Sequence, residues 1–227
     1  MRVLDLGCGR GDVSLLLAGM VDAHDEVVGL DRDADALAAA RARCGSDPRL
    51  HFVQAPLESP PTDLGSFDAI VGRRVLMYLA DPATVLRQLA VLLRPGGVMA
   101  FQEDDFTLLP GRLGDWALHD RVLGWLRAMI LAEGGDPGIG FQLPDLLTEA
   151  RLALRDVRAE AVIQGRDAHH PLPVIVQAVQ SRLVAHGIAT AEDIGAHDLE
   201  ARLARERAGH RGVYVSDMVF CAWGQSA

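Results

Sequence analysis

Val3-Leu4-Asp5-Leu6-Gly7-Cys8-Gly9-Arg10-Gly11 opens with a short apolar run that is cut off by glycines at alternate positions. Arg2–Leu6 reads as a strand, and Asp12–Met20, directly after the glycines, as a helix. Small residues at 7, 9 and 11 let the backbone turn sharply and approach a ligand closely. The helix that follows offers free N–H groups and the positive end of its dipole to an anionic group. The spacing narrows the ligand. A dinucleotide fingerprint, G-x-G-x-x-G, needs its third glycine at position 12, where this chain has Asp12. Asp31 ends a second predicted strand, Glu26–Leu30, 20 residues after Gly11, where an acid can take both hydroxyls of a ribose. Glycine loop, preceding Asp5 and second-strand Asp31 together specify a nucleoside with a charged, non-phosphate tail.

Working outward, the alternation continues. Asp33 caps a helix that runs to Cys44, with Gly45 just past its end. Leu50–Gln54 and Phe67–Val71 are further strands. Asp81-Pro82 starts a helix with Val85, Leu86, Leu89 and Leu93 on one face; Arg94-Pro95-Gly96-Gly97 stops it, and Val98–Gln102 is a fifth strand. Near-continuous apolar strands alternating with helices mean an α/β protein with a parallel, doubly wound sheet. After that the character changes. Helices are expected at Asp115–Glu133, Pro144–Ala153, Leu172–His186 and Thr190–Ala208, the last opening on a Thr190/Asp193 capping box. Val157–Gln164 and Val213–Trp223 read as closing strands. The expected division is a binding core at 1–104, a helical cap at 105–155 and closing strands with a helical insertion at 156–227, all within one domain.

Composition removes whole chemistries. All 22 basic residues are Arg, so there is no Schiff-base lysine, no Walker-A loop and no Tyr-x-x-x-Lys pair. Thirty-one acidic residues leave a net charge of −9, which disfavours nucleic acid and anionic membrane surfaces as partners. The uncharged run Val13–Val21 is about half of the ~20 residues a membrane span needs. No basic segment followed by an apolar one opens the sequence, so a signal peptide is not expected. Cys8, Cys44 and Cys221 are too scattered for a disulfide framework or a zinc site, and no metal site is expected. The chain reads as cytoplasmic.

At the residues quoted, the sequence resembles the class I S-adenosylmethionine-dependent methyltransferases, over roughly residues 1–104. Val27-Val28-Gly29-Leu30-Asp31 belongs to that resemblance. So do Phe67-Asp68-Ala69-Ile70-Val71, Val75–Pro82 and Leu92–Gly97, which look like the small-molecule and quinone branch. The resemblance implies a Rossmann-like, mostly parallel seven-stranded sheet with an antiparallel final strand, and S-adenosyl-L-methionine as cofactor. It also implies that Asp5, Gly7, Cys8, Gly9 and Gly11 hold the methionine end, Asp31 the ribose, and Arg32 the adenine face. Family members usually end the third strand in Gly-Asp, whose Asp contacts the adenine amine. Here Gln54-Ala55-Pro56-Leu57-Glu58 stands instead, so Leu57 and Glu58 are the substitutes there, with Arg73 after the fourth strand. Family members also carry an N-terminal helical segment over the cofactor, whereas this sequence begins on its first strand. Either a segment precedes it or the later helices supply the cover.

The remaining candidates concern the acceptor. Glu103, Asp104 and Asp105 end the fifth strand on the ligand side, where a solvated loop start competes with substrate binding or base duty. Glu103 and His119 are the candidate catalytic bases, although the helix face that His119 shares with Leu123 and Leu126 favours a partly buried structural role for it. His169-His170 lacks metal-ligand spacing, and Trp116, Trp125 and Met129 read as packing. Cys8 reads as a small residue in a tight turn. Ser59-Pro60-Pro61 precedes the fourth strand and is a loop. The expected activity is methyl transfer to a small organic acceptor, with O-, C- or N-methylation open and a homodimer among the partners. The rivals are a non-catalytic cofactor-binding or dimerisation subunit and an NAD-dependent oxidoreductase.

Overall fold

A computed structural model describes every residue except 109, 110, 112 and 166–169. Seven strands, β1 (Arg2–Leu6), β2 (Glu26–Asp31), β3 (Leu50–Gln54), β4 (Phe67–Arg73), β5 (Leu93–Asp105), β6 (Ala153–Gln164) and β7 (Tyr214–Gln225), form one sheet in the order β3-β2-β1-β4-β5-β7-β6. The first five are mutually parallel, as their short apolar runs require: β1 pairs with β2 and β4, β2 with β3, and β4 with β5. β7 runs against β5. Gln102 reaches Cys221, the Gln225 side chain reaches Gly96 O, and Ser226 N–H reaches Gly97 O, so numbering falls along one strand as it rises along the other.

The helices are α1 (Asp12–Ala18), α2 (Ala34–Cys44), α3 (Pro82–Ala90), α4 (Ala117–Ala132), α5 (Leu143–Glu149), α6 (Leu172–Ala185), α7 (Ala191–Ile194) and α8 (Leu199–Ala208). Predicted caps form as the sequence dictates. Asp33 accepts the Asp35 and Ala36 N–H groups, Asp81 accepts that of Thr84, and Thr190 with Asp193 makes a reciprocal capping box.

Three expectations are corrected. Leu93 does not extend α3; it starts β5, and the Pro95–Gly97 stretch is absorbed as a register shift between its pairings with Phe67 and Ala69. The helix expected over Thr190–Ala208 is two helices, because Gly195 takes a left-handed φ of 53° between them. β5 runs on through Asp105, so Glu103, Asp104 and Asp105 are 0%, 2% and 1% exposed and are not a solvated loop start.

The chain divides into two compact units. Unit 1 comprises Met1–Glu103, Ile139–Arg158 and Phe220–Ala227; unit 2 comprises Asp104–Gly138 and Ala159–Val219. Helix α5, which the sequence groups with a cap, thus clusters with the parallel strands. The core of unit 1 is Leu4, Leu6, Val27, Leu30, Leu37, Ile70, Leu86 and Leu89, all at 2% exposure or less. In unit 2, Trp116, Val122, Met129, Val176, Leu183 and Leu203 are buried where α4 meets α6 and α8. No helix among the described residues is long and apolar enough to cross a membrane.

Candidate cofactor site

In unit 1 the strand order reverses between β1 and β4, and the carboxyl ends of β1, β2 and β4 lie side by side. That is where open α/β sheets bind ligands. The turn after β1 needs left-handed backbone at all three glycines: φ is 65° at Gly7, 52° at Gly9 and 80° at Gly11. The three differ in their surroundings. A Cβ on Gly7 would lie 2.5 Å from Val75 Cγ2, and one on Gly11 3.2 Å from Ala40 Cβ. A Cβ on Gly9 would meet nothing within 4 Å, so the loop opens there onto free space.

Asp31 stands at the end of β2 and closes this loop. Its carboxylate accepts the N–H of Gly9 at 2.8 Å and that of Asp33 at 2.9 Å. The Gly7 and Cys8 N–H groups go to Leu30 O, so β1's turn is laced to β2. A carboxylate has about four acceptor positions, and two remain for hydroxyls.

Asp5 lies beneath the loop. It is 1% exposed and accepts the Ser14 hydroxyl at 2.6 Å, which ties β1 to α1. Burial pushes its carboxyl up to about 7, against the downward pull of the Ser14 bonds. Burial also raises the Cys8 thiol well above its ordinary range, and the sulfur packs 2.9 Å from the position of a Cβ on Gly29. Leu57 is buried, with Cδ1 3.7 Å from the Gly7 Cβ position, while Arg32, Glu58 and Arg73 are exposed. Sequence reasoning missed Ser14 and Val75. A serine on the buried face of α1 was a usable signal for the first; nothing local marks Val75.

The two candidate bases occupy different units. In unit 1, Glu103 is fully buried, and one carboxylate oxygen accepts the N–H of Val75 at 3.0 Å and of Leu76 at 2.9 Å. In unit 2, His119 is 0% exposed, with Nδ1 2.6 Å from Glu206. Burial pulls the imidazole below the usual histidine range, outweighing the carboxylate beside it. Burial tends to raise Glu206, but hydrogen bonds from the His119 ring and from the Leu118 and His119 amides hold it below its ordinary value. An ionised carboxylate only accepts, so the shared proton belongs on Nδ1 and Nε2 carries the lone pair. Trp116, Tyr214 and His170 surround that ring. Of the His169-His170 pair, His169 lies outside the described residues. Asp105 accepts the Thr107 and Leu108 N–H groups, which accounts for its burial.

Residues 3–97 match the family model for the methyltransferase domain. A trans-aconitate 2-methyltransferase from Methylobacterium radiotolerans is 35% identical over 178 residues, taking in 74% of this chain and 60% of that protein. The chain spans about half the length of the curated relatives it matches, from 44% to 60% of the first three. Among solved structures, an S-adenosylmethionine-dependent methyltransferase from Mesorhizobium loti aligns with a TM-score of 0.57 at 21% identity, over 99% of this chain and 90% of that one. A phosphoethanolamine methyltransferase from Haemonchus contortus, solved with S-adenosyl-L-methionine, aligns with a TM-score of 0.61 at 14% identity, over 100% of this chain and 49% of that one. At such identities the likeness establishes the methyltransferase fold.

Proposed function

We propose that this chain is a methyltransferase, transferring a methyl group from S-adenosyl-L-methionine to a small organic acceptor. The observation that carries the reading is the left-handed glycine loop joined through the Gly9 N–H to Asp31. The open space before Gly9 fits a cofactor lying against the backbone, and Asp31 keeps acceptor positions for ribose hydroxyls. Asp5 supports the loop from below and, with Gly7, Cys8, Gly9 and Gly11, would hold the methionine end. Arg32 would cover the adenine face, since a guanidinium stacks on aromatic planes. Leu57 and Glu58 would line the adenine edge, with Arg73 at the end of β4. When bound, the cofactor supplies a methyl group on a sulfonium, already an activated electrophile.

The protein's own task is then alignment, which can supply ~7–11 kcal/mol of a barrier. An acceptor with an ionisable proton also needs a base. Glu103, whose carboxylate serves backbone amides, is not suited to that role, and the Nε2 lone pair of His119 lies in the packed interior of unit 2. The charge balance of −9 favours a small molecule over nucleic acid as acceptor. Relatives named for trans-aconitate, malonyl-acyl-carrier protein and ubiquinone biosynthesis make small carboxylates the first acceptors to try.

Isothermal calorimetry with S-adenosylhomocysteine tests the cofactor. Wild-type protein should bind it and ignore NADH, and Asp31→Ala should weaken binding by about tenfold or more, the scale of lost hydrogen bonds to a charged group. No heat with the nucleoside, or equal affinities for wild type and Asp31→Ala, would overturn the reading. Binding without any methylated product across the acceptor panel would instead support a non-catalytic subunit.

A further inference from the structure

Gly72 to Leu76 carries the chain from β4 into a short 3-10 helix at Leu76–Tyr78. Arg74 takes a left-handed φ of 54°, rare for a residue with a side chain, and its N–H is held by Gln102 O at 2.8 Å. That kink turns the next two N–H groups, on Val75 and Leu76, into the interior, where both residues are 4% exposed or less. Water does not reach them, and an unpaired buried N–H is costly. One oxygen of Glu103, itself fully buried on the neighbouring strand, accepts both. The turn so fixed places Val75 against two glycines. Its side chain fills the position of a Cβ on Gly7, at 2.5 Å, and of a Cβ on Gly72, at 2.8 Å.

We infer that Glu103 is a positioning residue: through the Val75 and Leu76 amides it seats Val75 under Gly7 and so sets the conformation of the cofactor loop. The inference rests on the proposed cofactor reading for its affinity readout but not for its structural one. Glu103 touches neither substrate nor cofactor in this role. It acts at one remove, 28 and 27 residues from the two amides it holds.

Glu103→Gln keeps a neutral acceptor oxygen, and Glu103→Ala keeps none. S-adenosylhomocysteine should bind Glu103→Ala about tenfold more weakly, and Glu103→Gln within about threefold of wild type, following the loss or retention of a buried hydrogen-bond acceptor. With an acceptor in hand, the loss should appear in KM for the cofactor while kcat and its pH profile stay in place. Amide exchange, measured without any ligand, should rise at 74–77 and at 7–11 in Glu103→Ala, with β3 as the internal control. Val75→Ala, which leaves Glu103 intact, should raise exchange at 7–11 alone. It carries the test should Glu103→Ala fail to fold. Wild-type exchange at 7–11 in both folded variants would overturn the inference, and so would a Glu103→Gln protein that loses kcat at unchanged KM. If the wild type binds no S-adenosylhomocysteine, the cofactor reading fails and the exchange data still decide this one.

Discussion

The two units use one device for different ends. In unit 1 a buried glutamate, Glu103, accepts two consecutive backbone N–H groups, on Val75 and Leu76; in unit 2 Glu206 does the same for Leu118 and His119. Both carboxylates stop a chain segment from leaving amides unpaired at the start of a helix. What lies beyond differs. Glu103's turn presses on a glycine loop with open space in front of it, whereas Glu206 joins α8 to α4 inside a nest of Trp116, Tyr214 and His119. A long-range cap is thus a structural component, and only its neighbours tell whether it supports a ligand surface or a packed interior.

Gly7→Ala should give the largest effect and break the comparison on the unit 1 side. The new methyl would lie 2.5 Å from Val75 Cγ2 at a φ of 65°. Overpacking and left-handed strain together cost about 4 kcal/mol. Urea unfolding should show that loss, and calorimetry should show no measurable S-adenosylhomocysteine binding.

Next comes Asp5→Asn, where the two units differ in the sign of their pH dependence. The Asp5 carboxyl is raised by burial, so its contribution favours the fold below the ordinary value near 3.8 and is lost as pH climbs through about 7. His119 is lowered by burial, so its contribution is present above the unfolded value near 6.5 and is lost as pH falls below it. Asp5→Asn should therefore stabilise the protein by about 3 kcal/mol at pH 8 and by almost nothing at pH 4. Melting curves at the two pH values check this, and a gain of equal size at both would mean that desolvation is not the cause. Glu206→Ala, in unit 2, should cost about 2 kcal/mol at neutral pH by leaving the Leu118 and His119 N–H groups without an acceptor. The measurement is chemical denaturation, with amide exchange rising at the start of α4.

Legibility follows the same division. The parallel strands and the caps at Asp33, Asp81 and Thr190–Asp193 were readable, because donor and acceptor there lie two or three residues apart. The glycine loop and Asp31 were readable because φ > 0 and strand ends leave marks on residue type. Glu103 and Glu206 were not, since their partners lie 28 and 88 residues away and nothing in a local pattern distinguishes a capping glutamate from a base. The run Glu103-Asp104-Asp105 reads as solvated by composition alone; the fold brings the distant Val75 and Leu76 amides to Glu103, whereas Asp105 accepts the nearby Thr107 and Leu108 amides. Leu93 was misplaced because an apolar residue in register with a helix face fits the start of a buried strand equally well.

The smallest predicted effect sharpens the contrast between strain near the candidate site and strain away from it. Arg74 and Arg151 are the described non-glycine residues with positive φ, at 54° and 62°. Arg151 ends α5 in a Schellman turn: its N–H reaches Thr148 O, and that of Leu152 reaches Leu147 O. Glycine is the residue that this position favours, and Arg151 is exposed. Arg151→Gly should therefore stabilise the fold by about 1 kcal/mol, net of the extra freedom glycine gives the unfolded chain, and leave nucleoside affinity alone. Arg74→Gly relieves the same kind of strain but frees the turn that seats Val75, so its nucleoside affinity should fall even as its backbone relaxes. Equal behaviour of the two variants in calorimetry would show that the turn after β4 is strained for reasons unconnected with the glycine loop.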